Sequence, residues 1–120
     1  MADHRNASLY RQVFESGDYA DAISDDVEWW DIGSWEPIRG KAAFIEQRQE
    51  TAGLWQITSR LHDVIANDTH VIALIEAKVE RDGQTLDYRE AEIMHVRDGK
   101  FTHRWALGDD TAAIARFFAT

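Results

Sequence analysis

The stretch Trp55 to Leu107, WQITSRLHDVIANDTHVIALIEAKVERDGQTLDYREAEIMHVRDGKFTHRWAL, decides how this chain folds. Apolar and polar residues alternate along it, the two-residue period of strands with one buried face. Three turn-forming dipeptides, Asn67-Asp68, Asp82-Gly83 and Asp98-Gly99, cut it into strands at 55–66, 69–80, 85–96 and 100–107. Two-residue hairpin turns fix register, so cross-strand neighbours can be counted back from each turn.

With Asp82-Gly83 as a turn, Val79 faces Leu86, Ala77 faces Tyr88, Ile75 faces Glu90, Ala73 faces Glu92 and Val71 faces Met94. On the reverse side Lys78 meets Asp87 and Glu76 meets Arg89; this charge complementarity supports the register independently of the turn. Asp98-Gly99 puts Val96 opposite Phe101, Met94 opposite His103 and Glu92 opposite Trp105. Asn67-Asp68 puts His62 opposite Ala73 and Arg60 opposite Ile75.

The predicted result is an otherwise apolar face carrying Arg60, His62, Glu90, Glu92, His103 and Trp105, which marks a pocket. A carboxyl group on an apolar wall costs free energy unless it is neutralised, paired or hydrogen bonded. Desolvation raises its pKa, so Glu92 is predicted to hold a proton near neutral pH, with His62 or His103 as the base. The structural alternative pairs Glu90 with Arg60 and Glu92 with His103. His62, His103 and Glu92 formally make a metal set, but their spacing matches no compact ligand motif, and no metal is expected.

Ahead of the strands the period changes. Leu9, Tyr10, Val13 and Phe14 recur at helical spacing before Gly17, predicting a helix over 3–16. Asp18 is predicted to cap a second short helix through Ile23, followed by a strand over 27–32. The segment 33–40 reads as a turn with a brief strand, and 41–52 as a third helix ending at Gly53. After the strands, Asp109 or Asp110 caps a closing helix holding Ile114, Phe117 and Phe118. Helices followed by a long antiparallel sheet make an α+β domain, one of them over residues 1–120, with helices covering one sheet face.

Composition narrows the function classes. Thirteen Lys and Arg stand against twenty-two Asp and Glu, a net charge of -9, which disfavours nucleic acid and anionic membrane as partners. The chain has no cysteine, which excludes disulfides, thiolate catalysis and cysteine-bound zinc. No apolar run approaches the roughly 20 residues of a membrane span, and the polar N-terminus is unlike a signal peptide, so a cytoplasmic location is expected.

Four segments in order, YRQVFESGDYADA (10–22), GSWEPIRGKAAF (33–44), HDVIANDTHVIAL (62–74) and HVRDGKFTHRWALGDD (95–110), carry a resemblance to a known superfamily. The chain resembles the nuclear-transport-factor-2-like superfamily, in particular its SnoaL-like and ketosteroid-isomerase-like members, over nearly its whole length. The resemblance implies a cone-shaped, bent antiparallel sheet of the cystatin-like kind, wrapped by N-terminal helices around a blind apolar pocket. It implies a small hydrophobic ligand, no cofactor, and commonly a homodimer through the outer sheet face. Members include isomerases, cyclases, dehydratases, epoxide hydrolases and non-catalytic binding proteins, so fold alone does not choose a reaction.

Residue by residue, the resemblance puts Tyr10 at the oxyanion-hole tyrosine of ketosteroid isomerases and Glu92 at their protonated acid. Their base position falls on Trp30, which takes no proton, and neighbouring Asp31 is predicted to point to the opposite side. SnoaL-like cyclases place an aspartate four residues past a tryptophan, which Asp109 matches from Trp105; the helix cap is its structural alternative. Trp30, Arg60, Glu90, Met94 and Trp105 are then expected to line the ligand site.

Overall fold

The computed structural model describes residues 3–119. Element order is α1 (Arg5–Ser16), β1 (Ile23–Trp29), β2 (Ile38–Arg39), α2 (Lys41–Thr51), β3 (Gln56–Ala66), β4 (His70–Arg81), β5 (Gln84–Arg97), β6 (Lys100–Gly108) and α3 (Thr111–Phe118). The strands form one sheet in the order β2-β1-β6-β5-β4-β3. Strands β3 to β6 are the expected antiparallel meander, and β1 adds to the edge of β6 in parallel, so the sheet as a whole is mixed.

Asp82 and Asp98 adopt φ of 51°, and the glycines after them 79° and 74°, the positive pair that two-residue hairpin turns require. The β4–β5 register follows without slip from Arg81 opposite Gln84 to His70 opposite His95. The β5–β6 register starts as predicted at Arg97 opposite Lys100 and Val96 opposite Phe101. It then slips by one, so that His95 faces His103, Met94 faces Arg104 and Glu92 faces Ala106. Thr102 is the extra residue, and a one-residue bulge sends every later side chain to the other face.

Strand β3 departs twice. The Asn67 side chain accepts from the backbone N–H of Thr69 and His70, moving the turn itself to Asp68-Thr69. A second slip between Leu61 and Asp63 leaves His62 as a bulge, with Val64 rather than His62 opposite Ala73 and Glu76 rather than Ile75 opposite Arg60.

Tyr10 and Val13 of α1 pack on the inner sheet face in the main core with Ile23, Val27, Trp29, Phe44, Met94 and Phe101. The helix is fixed at both ends. The His4 side chain accepts from Asn6 N, and Gly17 in the left-handed region donates to Val13 O at 2.8 Å. Asn6 ties α1 to the β3–β4 turn by donating to the carbonyls of Asn67 and Asp68 at 2.9 and 3.2 Å. In place of the helix expected from Asp18 to Ile23 there is a turn, after which β1 begins at Ile23 and ends before Trp30. Among the described residues no helix is long and apolar enough to cross a membrane.

The closing helix α3 is capped by Asp110, whose side chain accepts from Ala113 N at 3.1 Å. It seats directly on glycine: a Cβ at Gly108 would collide with Ile114 Cδ1. At its far end Arg81 donates to the carbonyls of Phe117 and Ala119. Thus α3 is held over the open end of the inner sheet face.

Candidate active site

A cavity of about 590 Å³ lies between the inner sheet face, α2 and α3, within the range that holds a drug-sized molecule. Phe14, Trp55, Ile75, Tyr88, Ile114 and Phe118 supply apolar wall, and Tyr19, Asp31, Arg48, Glu90, Glu92 and Arg104 the polar groups. Trp55 and Tyr88 each meet the edge of Phe118, at ring-centroid distances of 5.0 and 6.2 Å.

At the deep end stands a buried network. Glu92, 4% exposed, accepts from the Tyr10 hydroxyl at 2.5 Å through Oε1. Its Oε2 accepts from Arg104 Nε and Nη2 at 2.8 and 2.7 Å. Arg104 Nη1 donates to the Trp30 carbonyl at 2.7 Å, and the guanidinium lies 4.7 Å from the Trp29 ring centroid. Burial alone would lower the Arg104 pKa, yet the charges of Glu92 and Glu90 hold it above its ordinary value. Burial and then the Glu92 charge push the Tyr10 phenol well up, so it stays a donor. The Tyr19 hydroxyl lies beside that of Tyr10, is likewise pushed up by burial, and faces the cavity.

One turn of the pleat along β5, Glu90 occupies a different setting. It sits opposite Ile75 on one side and Gly108 on the other. Burial, then the charge of Glu92, raises its pKa to about 7, with Arg104 pulling partly the other way. Among the described residues Glu90 has no carboxylate-to-cation contact within 4.0 Å.

The structure brings Tyr10, Glu90, Glu92 and Met94 to the inner side, with Met94 in the core cluster rather than on the cavity wall. It places the other candidates elsewhere. His103 and Trp105 lie on the outer face because of the Thr102 bulge; His103 Nε2 is 3.6 Å from Glu28 Oε1. Arg60 pairs with Glu76 across β3 and β4 at 2.8 Å, also outside. His62 is exposed at its bulge. The Trp30 ring meets the Trp105 ring edge-on at 6.4 Å, away from the cavity. Asp109 is neither in the cavity nor the helix cap: its carboxylate accepts from Arg89 N at 3.2 Å. The pairing of Glu90 with Arg60 and of Glu92 with His103 is excluded by the same register.

Several cavity residues were missed by sequence reasoning. Arg104 falls on the outer side when Thr102 is counted as an ordinary strand residue, and the bulge brings it inside. Tyr19 was hidden in the expected second helix. Asp31 comes after the end of β1, so strand alternation does not apply to it, and it lines the cavity where the opposite was predicted. Nothing in the residue pattern marks Thr102 as the bulge; the slip shows only in the pairing of β5 with β6. Among the described residues no group of three or more His, Cys, Asp or Glu is arranged to hold a metal ion.

This architecture matches a known one. The sequence profile of the SnoaL-like domain matches residues 8–104. The chain belongs to the SnoaL-like family. An uncharacterised protein of Mycobacterium tuberculosis is 30% identical over 131 residues, spanning 99% of this chain and 100% of that one. Among solved structures, an NTF2-like protein of unknown function from Burkholderia pseudomallei superposes with a TM-score of 0.77 at 16% identity, covering 98% of this chain and 99% of that chain. A Mycobacterium tuberculosis epoxide hydrolase of the LEH-like type gives 0.67 at 18% identity, covering 87% and 78%. The SnoaL-like fold is the α+β cone: three helices and a mixed, unclosed six-stranded sheet whose inner face carries the cavity.

Proposed function

We propose that this SnoaL-like protein is a cofactor-independent acid/base enzyme of the isomerase, cyclase or dehydratase type, acting on a small hydrophobic carbonyl or hydroxyl compound. The observation that carries the reading is Glu90, a cavity-lining carboxyl without a cationic partner among the described residues, whose pKa burial lifts to about 7. A group poised near the working pH both takes and returns a proton, which typically contributes a factor of about 10²–10⁴ in rate. Glu90 as carboxylate removes a proton from the carbon next to the substrate carbonyl, the C–H electron pair passing through the new C=C bond to leave an enolate oxygen, and as carboxylic acid it returns that proton to another carbon of the enolate. Tyr19 and the free N–H groups of Arg104 donate to that oxygen as negative charge develops on it. Tyr10 and Glu92 act one step back, holding Arg104. His62, His103 and Asp109, on the outer surface, have no part in this scheme.

The test is proton exchange in deuterated water across a panel of hydrophobic ketones, enones and hydroxy ketones, monitored by NMR. Glu90→Gln, with circular dichroism unchanged, is expected to lose at least two orders of magnitude of any exchange or conversion found. Unchanged rates in that variant overturn the assignment, and ligand binding without exchange by the wild type supports a non-catalytic binding protein instead. Epoxide opening is the second enzymatic reading, favoured by a protonatable Glu90 and the Asp31 carboxylate lining one cavity; epoxides in the same panel decide it.

The partner in this reading is a second copy of the chain on the outer sheet face. Ile65, Ile72, Ile93 and Trp105 stand in register across four strands, with Ile65 57% and Ile72 38% exposed. Sedimentation is expected to show a dimer that Ile72→Asp dissociates; a monomeric wild type contradicts the pairing.

A further inference from the structure

Arg48, on α2, is a cavity cation that the proton transfer through Glu90 does not use. Among the described residues, eight of the ten arginines have a carboxylate within 4.0 Å, as befits an acidic chain. Arg116 and Arg48 have none among the described residues, and Arg116 is an exposed residue of α3 that does not line the cavity. What holds Arg48 is aromatic: its guanidinium carbon lies 4.7 Å from the Phe44 ring centroid and 5.4 Å from that of Trp29. Stacking of this kind positions the planar group while leaving its N–H edge without a fixed acceptor.

Trp29 is shared. Arg104 also lies over it, at 4.7 Å, so two guanidinium groups converge on one indole at the polar side of the cavity. Of the two, Arg104 alone has a carboxylate partner among the described residues, Glu92. The charged groups acting on Arg48 are Asp31, Arg104 and Glu92. Arg48, like Asp31, is exposed at the cavity mouth; Asp31 lies more than 4.0 Å away and Glu92 is already engaged by Arg104, so a planar fork of donors remains for an incoming anion.

We infer that the cavity takes a hydrophobic carboxylic acid, its carboxylate docked on the Arg48 guanidinium and its apolar body against Trp55, Tyr88 and Phe118. The inference rests on the proposed function for its reaction and narrows the substrate class to anionic carbonyl or hydroxyl compounds. The carboxylate is the handle, and the carbon skeleton reaches toward Glu90. Arg48 is thus a specificity-determining residue.

The experiment measures binding of hydrocinnamate, naphthylacetate and decanoate, each against its methyl ester, to the full chain by tryptophan fluorescence and ligand-observed NMR. A charge-assisted bidentate contact predicts an acid-over-ester preference of about ten-fold or more. Arg48→Gln is expected to erase that preference while leaving ester binding in place, Arg48→Lys to keep part of it, and Glu90→Gln to leave it standing. An ester that binds as well as its acid, an Arg48→Gln protein that keeps the preference, or no binding by any of the three acids overturns the inference. Loss of exchange activity in Glu90→Gln is read separately, so failure of the acid preference and failure of the Glu90 assignment are distinguishable.

Discussion

Glu90 and Glu92 are the same residue type, two positions apart on the same face of β5, and the fold treats them oppositely. Glu92 is closed in by Tyr10 on one oxygen and Arg104 on the other, with α1 behind it. Glu90 faces the cavity, has no cation within 4.0 Å among the described residues, and is pushed up to about 7 by burial. The deep end of the inner wall is therefore a satisfied buried network, which fixes geometry, and the open end is a group left with its chemistry available. Perturbation without a partner is what separates a working carboxyl from a structural one.

The largest effect that sharpens this contrast is expected at the closed end. Arg104→Met strands the Glu92 carboxylate in the core, which typically costs about 3–5 kcal/mol. Urea unfolding measures it; a loss below about 1 kcal/mol would break the claim that Glu92 depends on Arg104. Next in size is the pH dependence of the open end. Glu90 binds its proton more tightly folded, at about 7, than at its ordinary 4.5. The stabilisation is complete below the unfolded value and is lost as pH rises through the folded one. Unfolding curves of wild type and Glu90→Gln should thus diverge across that window by up to about 3 kcal/mol, in the direction of wild-type loss at higher pH. Parallel curves would place Glu90 among ordinary carboxylates. Smallest is Tyr10→Phe, which removes one donor from Glu92 Oε1 and is expected to cost about 1–3 kcal/mol in the same unfolding assay. Because Tyr10 does not line the cavity, that variant should retain most exchange activity; loss of two orders of magnitude would return Tyr10 to the reacting centre.

The same two carboxyls show how far the sequence was legible. Asp82-Gly83 carried the β4–β5 register through twelve pairs, so Glu90 and Glu92 were correctly placed side by side on the inner face. The helices over 5–16, 41–51 and 111–118 were equally readable from apolar spacing and capping residues. The failures lay beyond a bulge or an element end. Thr102 and His62 each insert one residue, and since strand periodicity is two, each insertion inverts the facing of every side chain beyond it. Counting through the bulge thereby puts His103 and Trp105 where the structure has Arg104, and so leads to a neutral acid where Glu92 is ion-paired. Asp31 and Tyr19 sit in irregular backbone, where neither period applies. Arg48 lay on a helix whose role as cavity wall depends on how α2 meets Trp29, a tertiary fact that local pattern does not contain.

The contrast between the two carboxyls is tested most directly by a carbon-detected NMR titration of the glutamate side chains, with Glu90 assigned by its absence in Glu90→Gln. One glutamate is expected to titrate near pH 7 and to disappear in the variant; every glutamate titrating below about pH 5, as unperturbed carboxyls do, would contradict the assignment of Glu90 as the working group.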